Sequence, residues 1–343
     1  MSTVRDRSGR LVTRRSFIEK LLLATGFVSS GAIAGLGYVV IDDSASKLPA
    51  SAAEPEPGPQ ISGKVTSAHP AALEPAGPET TRTLTIEAVN GVVEIGGGVQ
   101  YRAWTFGGTA PGPVVHVRQG DTVDFTLKNR GTSGHSMDFH AAQIPWDVNY
   151  KTILPGESIS FKWRANLPGV FMYHCGTAPM LHHIANGMYG AIVVDPATPL
   201  DPAREYVLVQ SEFYAMAGEG GVWDGDMDKM KAARPDLMAF NGVAFQYRDN
   251  PLPAKAGERI RLYVVNAGPT LFSAFHVVGA LFDKVFVDGN PANVLRGIQT
   301  YTVPPGGGST FELVIPDPGK YPFVTHNFAY TELGAVGLLD VSA

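Results

Sequence analysis

The chain reads as one pattern written twice, and this internal repeat limits the fold more than any other feature. Gln119-Gly120-Asp121 through Asn129 is matched by Ala256-Gly257-Glu258 through Asn266 at a constant offset. Leu167-Pro168-Gly169 ahead of Tyr173-His174-Cys175 is matched by Asp317-Pro318-Gly319 ahead of Thr325-His326-Asn327, with a two-residue gap. Around these landmarks run short apolar stretches, among them Leu84 to Val89, Val114 to Val117, Thr122 to Leu127, Ser158 to Trp163 and Val170 to Tyr173. A second series follows, including Ile260 to Val265, Ala274 to Val278, Thr310 to Ile315 and Ala335 to Val341. Turn residues such as Asn90-Gly91 and Leu154-Pro155-Gly156 separate them, which is the spacing of a β-sandwich. The prediction is an all-β chain of two tandem sandwich domains. Only Asp224 to Ala233 reads as a short helix.

Length and composition agree. The 343 residues allow two packed cores plus a leader, and 39 glycines with 26 prolines favour tight turns over long helices. A formal net charge of -5 offers no basic surface for nucleic acid. Four segments follow from the composition: 1–43, 44–81, a first sandwich at 82–196 and a second at 204–343, the last two joined by a Pro-rich linker.

In the first segment Thr13-Arg14-Arg15-Ser16-Phe17 precedes an apolar stretch from Leu21 to Val40, the order of a twin-arginine export signal. Ala50-Ser51-Ala52 fits a cleavage site, yet the stretch is nearly long enough to remain as a membrane anchor. An extracytoplasmic, periplasmic location is expected. Residues 44–81 are rich in Ala, Pro, Glu, Ser and Gly, the composition of a disordered tether in which His69 would be solvated.

Cys175 is the only cysteine, so no intrachain disulfide exists. A lone cysteine is most often a small buried hydrophobe. Here it stands in Tyr173-His174-Cys175-Gly176-Thr177-Ala178-Pro179-Met180-Leu181-His182-His183-Ile184-Ala185-Asn186-Gly187-Met188, a run dense in soft and borderline ligands. One thiolate, two imidazoles and a weak axial thioether form an electron-transfer copper centre. Strand geometry adds a second inference: adjacent residues on a strand point to opposite faces, so His174 and Cys175 cannot easily serve one metal. Two metals are implied. In His135-Ser136-Met137-Asp138-Phe139-His140 the same parity sets His135 on one face and Asp138 with His140 on the other, provided no bulge intervenes. The sets sort as His135 with Cys175 and His140 with His174. Parity leaves open whether His182 or His183 completes the first set, because both are expected on a loop.

The second half holds only His276 and His326. Either alone would more often be structural than a ligand. In the repeat, however, His326 falls where His174 does and His276 falls close to His140. Three imidazoles and an open position would make a catalytic copper site, with Asp138 beside it as a general acid. His116, on a continuous apolar run, reads as structural.

With these residues in place, the chain from about Arg82 onward resembles the copper-containing nitrite reductases, within the multicopper oxidase superfamily. It is closest to the subgroup with a short loop between the cysteine and the second type 1 histidine. The motifs that carry the resemblance are His135 to His140, His174-Cys175, His183-Ile184-Ala185-Asn186-Gly187-Met188-Tyr189-Gly190, Phe275-His276-Val277-Val278-Gly279 and His326. It implies cupredoxin-like Greek-key sandwiches, with a type 1 copper on His135, Cys175, His183 and Met188 and a type 2 copper on His140, His174 and His326. His182 then falls to a neighbouring role, and Asp138 with His276 match the acid pair that protonates nitrite. It implies two coppers per chain, a homotrimer in which His326 comes from a neighbouring chain, and a small cupredoxin or cytochrome c as donor. Three departures stand out: Ser136-Met137 replaces the usual Asn-Val, Gln143 to Tyr150 replaces a glycine-rich loop, and Val278 stands where a bulkier Ile often lies.

Two other readings compete. A two-domain oxidase of laccase type needs several His-x-His pairs and a His-Cys-His element, and the nine histidines here supply none. An electron-transfer cupredoxin without catalysis would hold type 1 copper alone, so counting copper separates the three.

Overall fold

The computed structural model describes residues 3–5, 11–13, 58–60 and 69–343. The chain divides into two compact units, Met1–Glu56 and Pro57–Ala343. In the first, the described backbone is an antiparallel pair, Thr3–Arg5 with Leu11–Thr13. The arginine pair, the apolar stretch and the cleavage motif lie outside the described residues. Among those described, no helix is long and apolar enough to cross a membrane.

The second unit contains two sandwiches. In the first, a six-stranded sheet orders Ala215–Ala217, Trp223–Gly225, Val99–Phe106, Thr81–Gly96, Thr122–Asn129 and Ser158–Arg164. It packs on a four-stranded sheet of Val115–Arg118, Tyr189–Asp195, Gly169–His174 and Asp138–Phe139. The second sandwich pairs a six-stranded sheet centred on Arg204–Phe213, Arg259–Gly268 and Gly308–Val314 with a five-stranded sheet containing Ser273–Val277 and Gly319–Thr325. Each core is aromatic: Phe125, Phe139, Phe161, Trp163 and Tyr173 fill the first, and Phe240, Phe275, Phe282, Phe311 and Phe323 the second.

Several local expectations change. Asp224 to Ala233 begins as the strand Trp223–Gly225, and the helix is shorter, Met227–Lys231, started by the Asp226 carboxylate accepting from the Asp228 and Lys229 amides. It is also not alone, since Trp146–Asn149, Met180–Ala185, Gln246–Asp249 and Phe328–Thr331 each form one turn or so of helix. Such short helices lack the length for a periodic signal. The hairpin of Ala215–Ala217 and Trp223–Gly225 lies in the second half of the sequence yet extends the first sandwich, through Trp223 beside Tyr101. The end of the supposed tether is packed as well. Ala71 is buried, its carbonyl accepts from the Val207 amide at 2.7 Å, and the His69 amide donates to Gln246 Oε1 at 2.7 Å. His69 is therefore half-buried rather than solvated, and burial lowers its pKa. His116 is structural as expected, gripping the Glu74 carbonyl and the Asp195 carboxylate at 2.6 and 2.9 Å. Burial opposes its charged form, but these partners outweigh it and raise its pKa.

The sandwiches share a third core. Val170, Met172, Ala191 and Val193 from the first meet Val207, Val209, Tyr263 and Val265 from the second. The strand Gly169–His174 therefore has two dry faces, with Phe171 and Tyr173 turned into the first core and Val170 and Met172 into the shared one. The approach is close: a Cβ at Gly308 would lie 2.4 Å from the Val170 carbonyl oxygen. Beside this seam, Arg261 and Glu312 are buried together, with Nε and Nη2 at 2.8 and 2.6 Å from Oε1, and Lys284 reaches Oε2 at 3.1 Å.

Removing the Glu312 carboxylate leaves Arg261 with Glu205 as its one remaining carboxylate, at 2.6 Å, and takes the partner from Arg259 and Lys284 as well. Glu312→Gln is expected to cost about 3 kcal/mol of stability in denaturant unfolding, and the double change Arg261→Met with Glu312→Leu is expected to recover much of that loss.

Candidate metal centres

His174 closes the strand Gly169–His174 and Cys175 follows at once, so the alternation of the strand carries into both side chains. Cys175 belongs with Tyr173 in the first core, while the His174 ring faces His140 outside it. Two clusters form around them as parity requires. The ligand atoms of His135, Cys175 and His183 all lie within 4.8 Å of one another, and so do those of Asp138, His140 and His174. His135 to His140 is not one regular strand, since only Asp138–Phe139 pairs fully, yet the sorting holds.

The first cluster is buried throughout. His183 Nδ1 lies 3.3 Å from both Cys175 Sγ and His135 Nδ1. A short helix, Met180–Ala185, carries His182 and His183 in place of the expected loop. On it His183 turns inward to 4% exposure, while His182 stays half-exposed against Trp104 at 4.6 Å between ring centroids. Of the two adjacent histidines, only His183 lies in the buried cluster with His135 and Cys175. Met188 is fully buried in the same core, and backbone bonds join it to Cys175 at 3.1 Å and to His183 at 3.2 Å. Burial lowers the pKa of His135 to about 4, and burial together with His135 and His182 does the same for His183, so both imidazoles are neutral and free to ligate.

The second cluster is held by two backbone carbonyls. His174 Nδ1 donates to the Cys175 carbonyl and His140 Nδ1 to the Gly306 carbonyl, each at 3.0 Å. Both Nε2 atoms then carry bare lone pairs, yet they face each other at 3.0 Å. Two acceptors at that distance repel unless a proton or a metal cation lies between them, so the pair fits a metal ion. Asp138 Oδ2 is 3.8 Å from His174 Nε2.

Among the described residues, His276 and His326 join neither cluster. They lie together on the second sandwich, ring centroids 5.2 Å apart, with His326 exposed beside Phe328. The repeat is also registered differently from the sequence reading. Ser273 pairs with Val303 as His135 bridges Ile153, and Val324 lies opposite His276 as His174 lies opposite Asp138. His276 therefore occupies the place of Asp138, and His326 lies two residues beyond the counterpart of His174. A motif match with a floating gap cannot fix register; ladder pairing does.

Three contributors escape the sequence. The Ser136 amide points at Cys175 Sγ, 3.4 Å away, and its hydroxyl accepts from the Gly176 amide at 3.1 Å. Trp104 touches the rings of His135, His182 and His183. Gly306 sets the tautomer of His140. Ser136 stood out only as a departure within the His135 to His140 motif and Gly306 only as part of a turn, while Trp104 acts from a segment remote in the chain.

A buried thiol, two imidazoles and a thioether on a cupredoxin sandwich, back to back with an imidazole pair, place this protein among the copper oxidoreductases of the two-domain cupredoxin class. A multicopper oxidase family profile matches residues 87–199. A copper-containing nitrite reductase of Neisseria gonorrhoeae is 42% identical over 264 residues, spanning 75% of this chain and 67% of the relative. That of Neisseria meningitidis serogroup B is 40% identical over 303 residues, spanning 86% and 75%. The solved copper nitrite reductase from Nitrosomonas europaea superposes with a TM-score of 0.72 at 41% identity, over 76% of this chain and 94% of that one. The chain belongs to the copper-containing nitrite reductase family.

Cys175 is the only thiolate source in the chain. Copper-loaded Cys175→Ala is therefore expected to lose all strong visible absorption from a copper–thiolate bond while EPR still detects copper at His140 and His174; loss of both signals together would mean that one shared site exists.

Proposed function

We propose that the chain reduces nitrite to nitric oxide with two coppers per subunit, a type 1 copper at His135, Cys175, His183 and Met188 and a type 2 copper at His140, His174 and a neighbour's His326. The observation that carries this reading is the contact between the clusters: His174 and Cys175 are consecutive, and the His174 ring bonds back to the Cys175 carbonyl at 3.0 Å. An electron arriving at the thiolate crosses one peptide unit to reach the second site.

When bound, copper supplies a one-electron couple and a Lewis acid for a nitrite oxygen. The reaction takes one nitrite, one electron and two protons, and gives one nitric oxide and one water. The protons need groups that are not themselves ligands. Asp138, half-exposed and within 3.8 Å of His174 Nε2, is placed to hold one proton at its carboxylate. His276, its Nδ1 bonded to the Gln299 carbonyl at 2.5 Å, presents Nε2 as the second carrier.

The His140–His174 pair and the His276–His326 pair are each half of such a site, and both reach the surface of one chain. A head-to-tail ring of subunits brings one pair to the other, and a trimer is the assembly proposed. Exposed Phe328 beside His326 supports a buried contact there. We propose further that the protein is exported by the twin-arginine route, that the leader is a candidate anchor, and that a small cupredoxin or cytochrome c is the donor. Trp104 and His182 line an open cavity of about 470 Å³ beside the Cys175 cluster, a face such a donor could reach.

Two measurements check the reading. Anaerobic nitric oxide production by the copper-loaded protein should fall by about 10²–10⁴-fold in Asp138→Asn, with both coppers retained and one limb of the pH profile lost. Wild-type turnover across the pH range in that variant would leave an oxidase or a carrier as the better description. His326→Ala should lose type 2 copper and keep its colour, in a protein that light scattering shows to be a trimer; a fully active monomer would sink the shared site.

A further inference from the structure

The repeat noticed in the sequence ends each time on an asparagine, and both asparagines are fully buried. Asn129 Nδ2 donates to the Ser133 and Ile153 carbonyls at 2.8 and 2.9 Å, and its Oδ1 accepts from the Gly131 amide at 2.9 Å. Its backbone carbonyl accepts from Gly156, and its amide donates to the Glu157 carbonyl, each at 2.9 Å. Asn266 repeats every one of these bonds. Its Nδ2 donates to the Leu271 and Val303 carbonyls at 2.8 and 3.0 Å, and its Oδ1 accepts from the Gly268 amide at 3.1 Å. Its backbone accepts from Gly306 at 2.8 Å and donates to Gly307 at 3.0 Å. Each asparagine thus ties the end of its strand and the loop that follows to one remote turn at a corner of its sandwich, with both amide hydrogens and the amide oxygen bonded.

The two corners do not face the same thing. Ile153, held by Asn129, exchanges both backbone bonds with His135 at 3.0 and 2.8 Å. Gly131, also held by Asn129, lies so close that a Cβ there would be 3.0 Å from His135 Nε2. In the second sandwich the corner holds the turn Pro304 to Gly307 across the domain seam, and the Gly306 carbonyl accepts from His140 Nδ1 at 3.0 Å. A Cβ at Gly306 would come within 3.4 Å of the His140 ring.

We propose that Asn129 and Asn266 are a duplicated pair of positioning residues, each fixing one histidine of a different metal cluster: Asn129 aims His135 at the Cys175 centre, and Asn266 sets the tautomer and direction of His140 at the imidazole centre. Neither asparagine touches a metal. Each works through the backbone of its corner, as partners beyond the ligand shell commonly do. The same brace occurs in both sandwiches, and the second serves the first sandwich's histidine from the other side of the seam.

This proposal rests on the two-copper reading, and its test separates the two. In copper-loaded protein, Asn129→Ser should shift the thiolate absorption and weaken copper at that site by about 10–100-fold, leaving the EPR signal of the other copper unchanged. Asn266→Ser should do the reverse. In copper-free protein, amide exchange at His135 and Ile153 should rise roughly tenfold or more in Asn129→Ser only, and at Gly306 and Gly307 in Asn266→Ser only. Should either serine variant fail to fold, Pro155→Gly and Pro305→Gly loosen the same two exposed turns and should reproduce the same one-sided pattern. Spectra and copper affinity unchanged in folded variants, or both coppers disturbed equally by either variant, would overturn the braces. A wild-type protein with only one kind of copper would instead sink the two-copper reading, and the exchange data would still judge whether the asparagines hold these histidine segments.

Discussion

A strand with two dry faces is the constraint on which the rest depends. Gly169–His174 packs Tyr173 into the first core and Met172 into the seam between the sandwiches, so the residues at its end inherit opposite environments. Cys175 enters an apolar pocket in which His135 and His183 are held neutral by burial, a setting suited to a soft, redox-active ion. His174 emerges on the other side, where the Cys175 carbonyl fixes its tautomer and leaves Nε2 to face His140. One peptide unit separates the two chemistries. A residue inserted between them would flip one side chain to the wrong face and break the pairing.

The seam matters as much as the strand. Gly308 lets the second sandwich approach Val170 within backbone contact, and the turn just before it delivers the Gly306 carbonyl to His140. The second domain therefore takes part in the imidazole centre of its own chain before any neighbouring subunit is considered. The ion cluster of Arg261, Glu312 and Lys284 lies along the same seam, where burial makes its geometry costly to disturb. Packing between domains and preparation of the metal sites are one structural problem here.

Much of the fold and of the two side-chain clusters is legible in the sequence. The all-β duplicated architecture followed from turn spacing, and the sorting of His135 with Cys175 and of His140 with His174 followed from parity alone. What failed were statements that needed register or short-range conformation. The second domain's histidines were misaligned with the first by a gap that only the ladder of Ser273–Val277 with Gly319–Thr325 fixes. Loop and helix were confused at His182-His183 because six residues of helix carry no periodic signature. The packed segment after His69 read as a tether because its bonds go to Val207 and Gln246, far along the chain.

The sequence by itself determined which metal-ligating side chains exist and that they fall into two groups. A single thiol, nine histidines and the alternation of strand side chains admit few other partitions. Tertiary structure alone decided which of two adjacent histidines turns inward, which carbonyls set the tautomers, and that Trp104, Gly306, Asn129 and Asn266 serve the clusters. The physical reason is that ligand identity is a local, covalent property of the chain. Orientation instead depends on hydrogen bonds and packing between segments, which no local pattern records.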